Sequence, residues 1–263
     1  MKNYDYIYAD PTGNITILVR DEADPAERTG ISDYLCALEP ACEQVGFISY
    51  GKENADIRLD MAGGEFCGNA TMTTACLFAR DNGINPGEER TVTVSASGTK
   101  EPVKVVVSLD NSGVFSGHVS MPSPNSVERV TLEFNGHEYD LWIVKFDGMY
   151  HAIIEEEGFK DLSFGDAEKA IVKWADELHT AGMGIMYLDE SKKTLTPLVY
   201  VPALKEFYWE HSCASGTTAA GYFLFTKNGK PVDIDFKEPG GTLNIKVSGK
   251  DEITLSGHVR FRG

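Results

Sequence analysis

The sequence predicts an α/β (α+β) protein made of one unit used twice, each copy a curved sheet around a central helix. Three observations carry that expectation. First, Phe115-Ser116-Gly117-His118-Val119 returns as Leu255-Ser256-Gly257-His258-Val259, 140 positions later. Second, Cys67-Gly-Asn-Ala-Thr71 matches Cys213-Ala-Ser-Gly-Thr217 and Gly98-Thr99 matches Gly241-Thr242, at offsets of 146 and 143. Three matches in one order, with offsets differing only by small insertions, mark an internal duplication. Third, 263 residues suit one large domain or two small ones at ~150 residues each, and either can bury a core. The expected domains are residues 1–121 and 122–263, with the crossover at Pro122-Ser-Pro124 and the last strand a candidate to pack on the first domain.

The elements follow in chain order from local pattern. Ile15 to Val19 is a short β-branched run bounded by Asn and Asp, a strand signal. Asp24 to Leu38 reads as a helix. Gly68 to Arg80 also does, and its Ala-rich, small-residue composition suits a helix enclosed by a sheet. Val103 to Val107, Leu141 to Val144 and Ile153 to Ile154 are strands, then Gly165 to Thr180 is a helix. Leu198 to Val201 is a strand, Ser215 to Lys227 a second small-residue helix, and Leu243 to Val247 and Ile253 to Leu255 close the chain as strands. The two small-residue helices each start at a Cys motif, and their N-termini are expected to face a shared cleft.

Composition excludes several function classes. Forty acidic residues against 24 basic ones give a net charge of −16, a field that repels phosphate backbones and anionic lipid. Neither nucleic acid nor a membrane is an expected partner. No apolar run approaches the ~20 residues of a membrane span, and no basic-then-apolar leader opens the chain, so a cytoplasmic protein is expected. The five cysteines (Cys36, Cys42, Cys67, Cys76, Cys213) are odd in number and lack CxxC spacing. They read as free thiols, with neither a disulfide framework nor a metal site. Trp142 and Trp174 read as core, and His118 and His258, in the repeated strands, as structural.

Cys67 and Cys213 stand apart because only they occupy equivalent places in the two copies. A thiol just before the first turn of a helix meets unpaired N–H groups and the positive end of the dipole. That position favours a thiolate and offers backbone N–H groups to a ligand carboxylate. Two such ends would hold one carboxylate with a thiol on each face of the adjacent carbon. Proton removal from one face and delivery to the other inverts the centre with no cofactor, a racemase chemistry.

The motifs Pro11-Thr-Gly-Asn-Ile-Thr-Ile-Leu-Val19, Cys42-Glu-Gln-Val-Gly-Phe-Ile48, Gly64-Glu-Phe-Cys-Gly-Asn-Ala-Thr-Met72, Trp209-Glu-His-Ser-Cys-Ala-Ser-Gly-Thr217 and Glu238-Pro-Gly-Gly241 run nearly end to end. On them the chain resembles the diaminopimelate epimerase superfamily, and within it the histidine racemase branch of metallophore biosynthesis. The resemblance implies a diaminopimelate epimerase-like fold of mostly antiparallel sheets, a homodimer, a small amino-acid substrate and no cofactor. It implies Cys67 and Cys213 as the acid/base pair, with backbone N–H groups of Gly68, Asn69, Ala214 and Ser215 on the α-carboxylate. Glu210 matches the carboxylate that binds the α-ammonium, and Asn14 a substrate-binding Asn. Gln44 matches a further substrate-binding position, with Glu43 as competitor for it. His151 falls where the family has a Gly-Asn-Pro-His turn.

Departures from the family pattern bear on the substrate. Diaminopimelate epimerases grip the distal amino-acid end with Asn residues and an Arg; here Met61, Met149 and Met183 fall at those places and His211 replaces the Arg. Charged distal groups against thioethers would lose charge-assisted hydrogen bonds, which disfavours diaminopimelate. Thioethers suit a flat ring such as imidazole. The expected function is interconversion of L- and D-histidine by two thiols. Racemisation of another amino acid and a non-catalytic amino-acid-binding module stay open.

Overall fold

The computed structural model describes residues 4–50 and 54–262. Contacts divide the chain into two units, one running to Met121 and resuming at Thr254, the other Pro122–Ile253.

In the first unit, β1 (Tyr6–Pro11), β2 (Thr16–Val19), β3 (Gln44–Tyr50), β4 (Ile57–Met61), β5 (Glu89–Ala96), β6 (Val103–Leu109) and β7 (Phe115–Ser120) are neighbours in that order. The last strand, β16 (Glu252–Phe261), pairs with both β7 and β1 and closes an eight-stranded barrel. The pairs β2–β3 and β4–β5 are parallel, because α1 (Arg28–Leu38) and α2 (Gly68–Asp81) make those two crossovers; the other pairs are antiparallel. Strands β1, β2 and β4 to β7 surround α2, which is buried on every side from Gly68 to Leu77. Its Ala- and Thr-rich sequence has no polar face because none meets water. Gly117 of β7 shows how close the wall lies: a Cβ there would sit 2.3 Å from Met72 Cγ on α2.

The second unit repeats the placement of its helix crossovers, with no closing strand pair for β8 among the described residues. Its strands are β8 (Ser126–Phe134), β9 (His137–Lys145), β10 (Met149–Glu155), β11 (Gly182–Asp189), β12 (Thr194–Val201), β13 (Glu206–Trp209), β14 (Val232–Glu238) and β15 (Gly241–Gly249). Parallel pairing again occurs only where a helix crosses over: β10–β11 across α3 (Phe164–Glu177) and β12–β14 across α4 (Ala214–Asn228). All eight residues of β11 are buried. Met183, Ile185 and Tyr187 pack in one cluster with Ala167, Ala170, Ile171 and Trp174 of α3, while α4 packs against β9 to β11, β14 and β15.

The two copies of the repeated pentapeptide meet in the first unit. Strands β7 and β16 pair antiparallel about Gly117↔Gly257. Ser116 Oγ contacts His258 Nδ1 at 3.0 Å and Ser256 Oγ contacts His118 Nδ1 at 2.7 Å. Both histidines therefore serve the sheet. Trp174 is fully buried, and Trp142 packs against Phe223 of α4.

Two expectations need correction. The first helix starts at Arg28, not Asp24, because Asp24 instead caps a 3-10 turn at Pro25–Glu27 by accepting the Ala26 N–H. Cys36 and Cys42 form a disulfide with Cα atoms 5.1 Å apart, so they are not free thiols. The chain turns back at the end of α1 and enters β3, which brings together two cysteines six positions apart that lack any recognised spacing. Cys76 is a free thiol fully buried in α2. Among the described residues no helix is long and apolar enough to cross a membrane.

Candidate functional site

Cys67 is the N-cap residue of α2. Its backbone is extended and its Sγ accepts the Ala70 N–H at 3.4 Å. The parallel β2–β3 register sets Thr16 opposite Gln44 and places the Gln44 amide against the thiol. The Cys67 S–H donates to Gln44 Oε1 at 2.9 Å, and Gln44 Nε2 donates to Thr16 Oγ at 2.7 Å and to Asn14 Oδ1. Asn69 Nδ2 donates to the same Asn14 oxygen at 3.1 Å, and Asn14 Nδ2 donates to Glu43 Oε2 at 2.6 Å. Asn14 and Asn69 are each 1% exposed. The left-handed residues of the β1–β2 turn are Thr12 and Gly13, which leaves the Asn14 side chain to organise this amide network. Thr71 Oγ donates to the Cys67 carbonyl at 2.7 Å, and Ser97 Oγ holds the preceding Glu65 carbonyl at 2.8 Å.

Cys213 is the N-cap residue of α4 in the same geometry, with Sγ accepting the Gly216 N–H at 3.3 Å and Thr217 Oγ donating to its carbonyl at 2.7 Å. Its surroundings differ in charge. The Glu210 carboxylate accepts a hydrogen bond from the thiol. Ser215 Oγ lies 3.5 Å from Sγ and 3.1 Å from His151 Nε2. Behind the helix start, Glu238 Oε2 accepts the Cys213 N–H at 2.8 Å and its other oxygen meets Thr217 Oγ. The Pro239-Gly240 turn holds the approach segment, as Gly240 N–H donates to the His211 carbonyl at 2.7 Å. A Cβ on Gly216 would sit 2.2 Å from Met186 Sδ, so that thioether packs on the first turn.

Burial decides the ionisation here. Cys213 is 5% exposed, and its thiol is pushed well above the ordinary range by burial first, then by the Glu210 carboxylate. The helix N-terminus therefore does not lower this thiol as its position alone suggests. His151 is fully buried, and that burial pushes it down to about 3, so it is neutral. Burial likewise pushes Glu238 up to about 8, against hydrogen bonds from Thr217 and Cys213 that pull it down.

The expected residues fall around the two thiols as follows. Gln44 touches the Cys67 thiol directly, Asn14 and Asn69 stand one bond behind, and Glu43 caps Asn14. Gly68 and Asn69 open α2, and Ala214 and Ser215 open α4; N–H groups of a first turn have no acceptor within their own helix. Glu210 reaches Cys213, whereas the His211 side chain is exposed and its carbonyl accepts the Gly240 N–H. Met183 does not face α4: strand alternation turns it into the α3 cluster, and Met186 is the thioether at the helix start. Reading residue by residue missed Thr16, Glu238 and the roles of Thr71 and Thr217. The two threonines had a signal, each standing four positions after its Cys.

This arrangement offers two capped thiols, each at a helix start able to bind an anion. The family model described as the histidine racemase CntK N-terminal domain matches residues 3–262. A histidine racemase of Fusobacterium nucleatum subsp. nucleatum (strain ATCC 23726 / VPI 4351) is 34% identical over 98% of this chain and 94% of its own length. A histidine racemase of Staphylococcus aureus (strain Mu50 / ATCC 700699) is 30% identical over 89% of this chain and 85% of its own. A crystal structure of a probable proline racemase from Agrobacterium radiobacter K84, with bound carbonate, shares the fold at a TM-score of 0.73 and 12% identity, covering 99% of this chain and 92% of its own. A predicted epimerase from Pseudomonas aeruginosa does so at 0.68 and 14%, covering 99% and 98%. The chain belongs to the histidine racemase family.

Proposed function

We propose that the protein interconverts L- and D-histidine without a cofactor, Cys67 and Cys213 acting as the two acid/base groups. The observation that carries this reading is the pair of N-cap thiols, one per unit, each bonded to its own first turn. Catalysis at Cα needs a base on one face and an acid on the other, and a placed group of this kind contributes about 10²- to 10⁴-fold. In the resting protein Cys213 holds its proton, since it is buried beside Glu210 and donates to it. Cys67, whose S–H donates to the neutral Gln44 amide oxygen, is the second acid/base group. First-turn N–H groups of α2 (Gly68, Asn69) and α4 (Ala214, Ser215) bind the α-carboxylate and stabilise charge spreading onto it at the transition state. Asn14, Gln44, Glu210 and His211 complete the substrate contacts, Glu210 receiving the α-ammonium.

The two units, each a mostly antiparallel sheet around a helix that starts at a cysteine, support a diaminopimelate epimerase-like reading of the fold. We also take the protein as a cytoplasmic homodimer, which sedimentation and fractionation test. The functional experiment is chiral chromatography after incubation with L-histidine, with proline and diaminopimelate alongside. D-histidine is expected, and each of Cys67→Ser and Cys213→Ser abolishes it. No turnover of any of the three, with retained binding in both variants, makes the protein an amino-acid-binding module instead.

A further inference from the structure

We propose that Glu238 is kept as the protonated acid and is the positioning residue of Cys213, its proton completing a hydrogen-bond chain that fixes the first turn of α4. The argument is a proton count. Thr217 Oγ lies 2.7 Å from the Cys213 carbonyl, as Thr71 Oγ lies 2.7 Å from the Cys67 carbonyl. Thr217 alone also meets a carboxyl oxygen, Glu238 Oε1. A hydroxyl carries one proton and cannot donate to two acceptors at once. The remaining Glu238 oxygen is occupied by the Cys213 N–H at 2.8 Å. A proton on Oε1 satisfies every group: Glu238 O–H donates to Thr217 Oγ, whose O–H donates to the Cys213 carbonyl, while Cys213 N–H donates to Oε2. Glu238 is 7% exposed, and burial is the leading cause of its raised pKa.

The groups around Glu238 favour its neutral form. From the α4 side come Cys213 and the uncharged Thr217, from β15 Gly241 in register, and the next turn residue, Gly240, bonds to the His211 carbonyl of the loop before α4. Lys237 precedes it with an exposed side chain, and Lys193 joins Lys237 through its backbone carbonyl. None of these cations bonds to it. If Glu238 ionises, Thr217 must choose between acceptors, and a negative charge appears behind the N-terminus meant to hold a carboxylate. Glu238 thus sets an alkaline limit on the half-reaction at Cys213.

This inference rests on the acid/base reading of Cys213, and the test separates the two. Glu238→Gln keeps one donor for Thr217 and one acceptor for Cys213. Its kcat/KM for L-histidine at pH 7 is expected within about threefold of the parent. The parent is expected to show a falling limb near pH 8, and in Glu238→Gln that limb should move up by at least about one pH unit. Glu238→Ala should lose at least about tenfold in kcat. An unmoved limb in Glu238→Gln, or a loss equal to that of Glu238→Ala, overturns the proposal. An inactive parent or an active Cys213→Ser overturns the acid/base reading instead. Carbon-13 NMR of the parent then still decides on Glu238: its assigned δ-carbon is expected to titrate near pH 8, and titration in the ordinary carboxylate range contradicts the protonated acid.

Discussion

Gly117→Ala gives the sharpest link between packing and the site. The added Cβ would lie 2.3 Å from Met72 Cγ and 2.9 Å from Met72 Sδ, where ordinary contact begins at 3.4 Å. About 1 Å must be found, and Met72 is fully buried, five positions after Cys67 on a helix walled in by strands. Overpacking of this kind costs about 1–3 kcal/mol, or roughly 2–5 °C in Tm for a chain this long. A shift of α2 by about that amount stretches and weakens the 2.9 Å Cys67–Gln44 bond. Displacements of ~1 Å cost about 10²-fold in rate. The assay pairs thermal unfolding with kcat for histidine racemisation, in Gly117→Ala, Met72→Ala and the double variant. Met72→Ala alone leaves a cavity worth about 2–5 kcal/mol, so the double variant should be more stable than the sum of the singles by at least ~1 kcal/mol. Strict additivity, or an unchanged Tm in Gly117→Ala, refutes the contact as the cause.

The other predictions concern ionisation and thiols. His151 falls to about 3 in the folded protein from an ordinary 6.5, a lowered value, so its contribution is present above pH 6.5 and lost as pH falls toward 3. Unfolding free energy should drop by about 1.4 kcal/mol per pH unit across that window, and His151→Asn should lack that component in denaturant titrations. Thiol titration of the unfolded, unreduced chain should find three groups, and five after reduction, given the Cys36–Cys42 disulfide. Finding five before reduction contradicts that bond. Cys76→Ala should leave racemisation within about threefold of the parent, because that thiol is sealed in the core of the first unit.

Much of the fold is legible because duplication shows in the chain. The Cys, Gly-Thr and Ser-Gly-His matches locate both central helices and the repeated strand, and the absence of a polar face marks α2 as enclosed. The return of β16 to the first unit is open to expectation only as a candidate, since it depends on which edge a strand closes and not on a local pattern. Strand β11 escaped because Gly182 and Gly184 interrupt its apolar run, and burial on both faces removes alternation. At the site, N-cap placement of both thiols follows from the motif alone. What the motif cannot give is the rest of the environment: the amides of Asn14 and Gln44 around Cys67 and the Glu238 carboxyl behind Cys213 come from residues 23 to 53 positions away. That difference reverses the expected acidity of Cys213. The disulfide was hidden for a similar reason, a turn after α1 doing what spacing does not announce.

The central claim, proton exchange between two thiols on opposite faces of one carbon, is tested most directly by deuterium accounting. L-histidine is incubated with the protein in deuterated water and stopped at low conversion, and Cα deuterium is measured in both enantiomers. The account predicts D-histidine carrying deuterium while the recovered L-histidine keeps its original proton. Equal deuterium in both enantiomers would mean one base serving both faces, and absence of D-histidine would remove the racemase assignment.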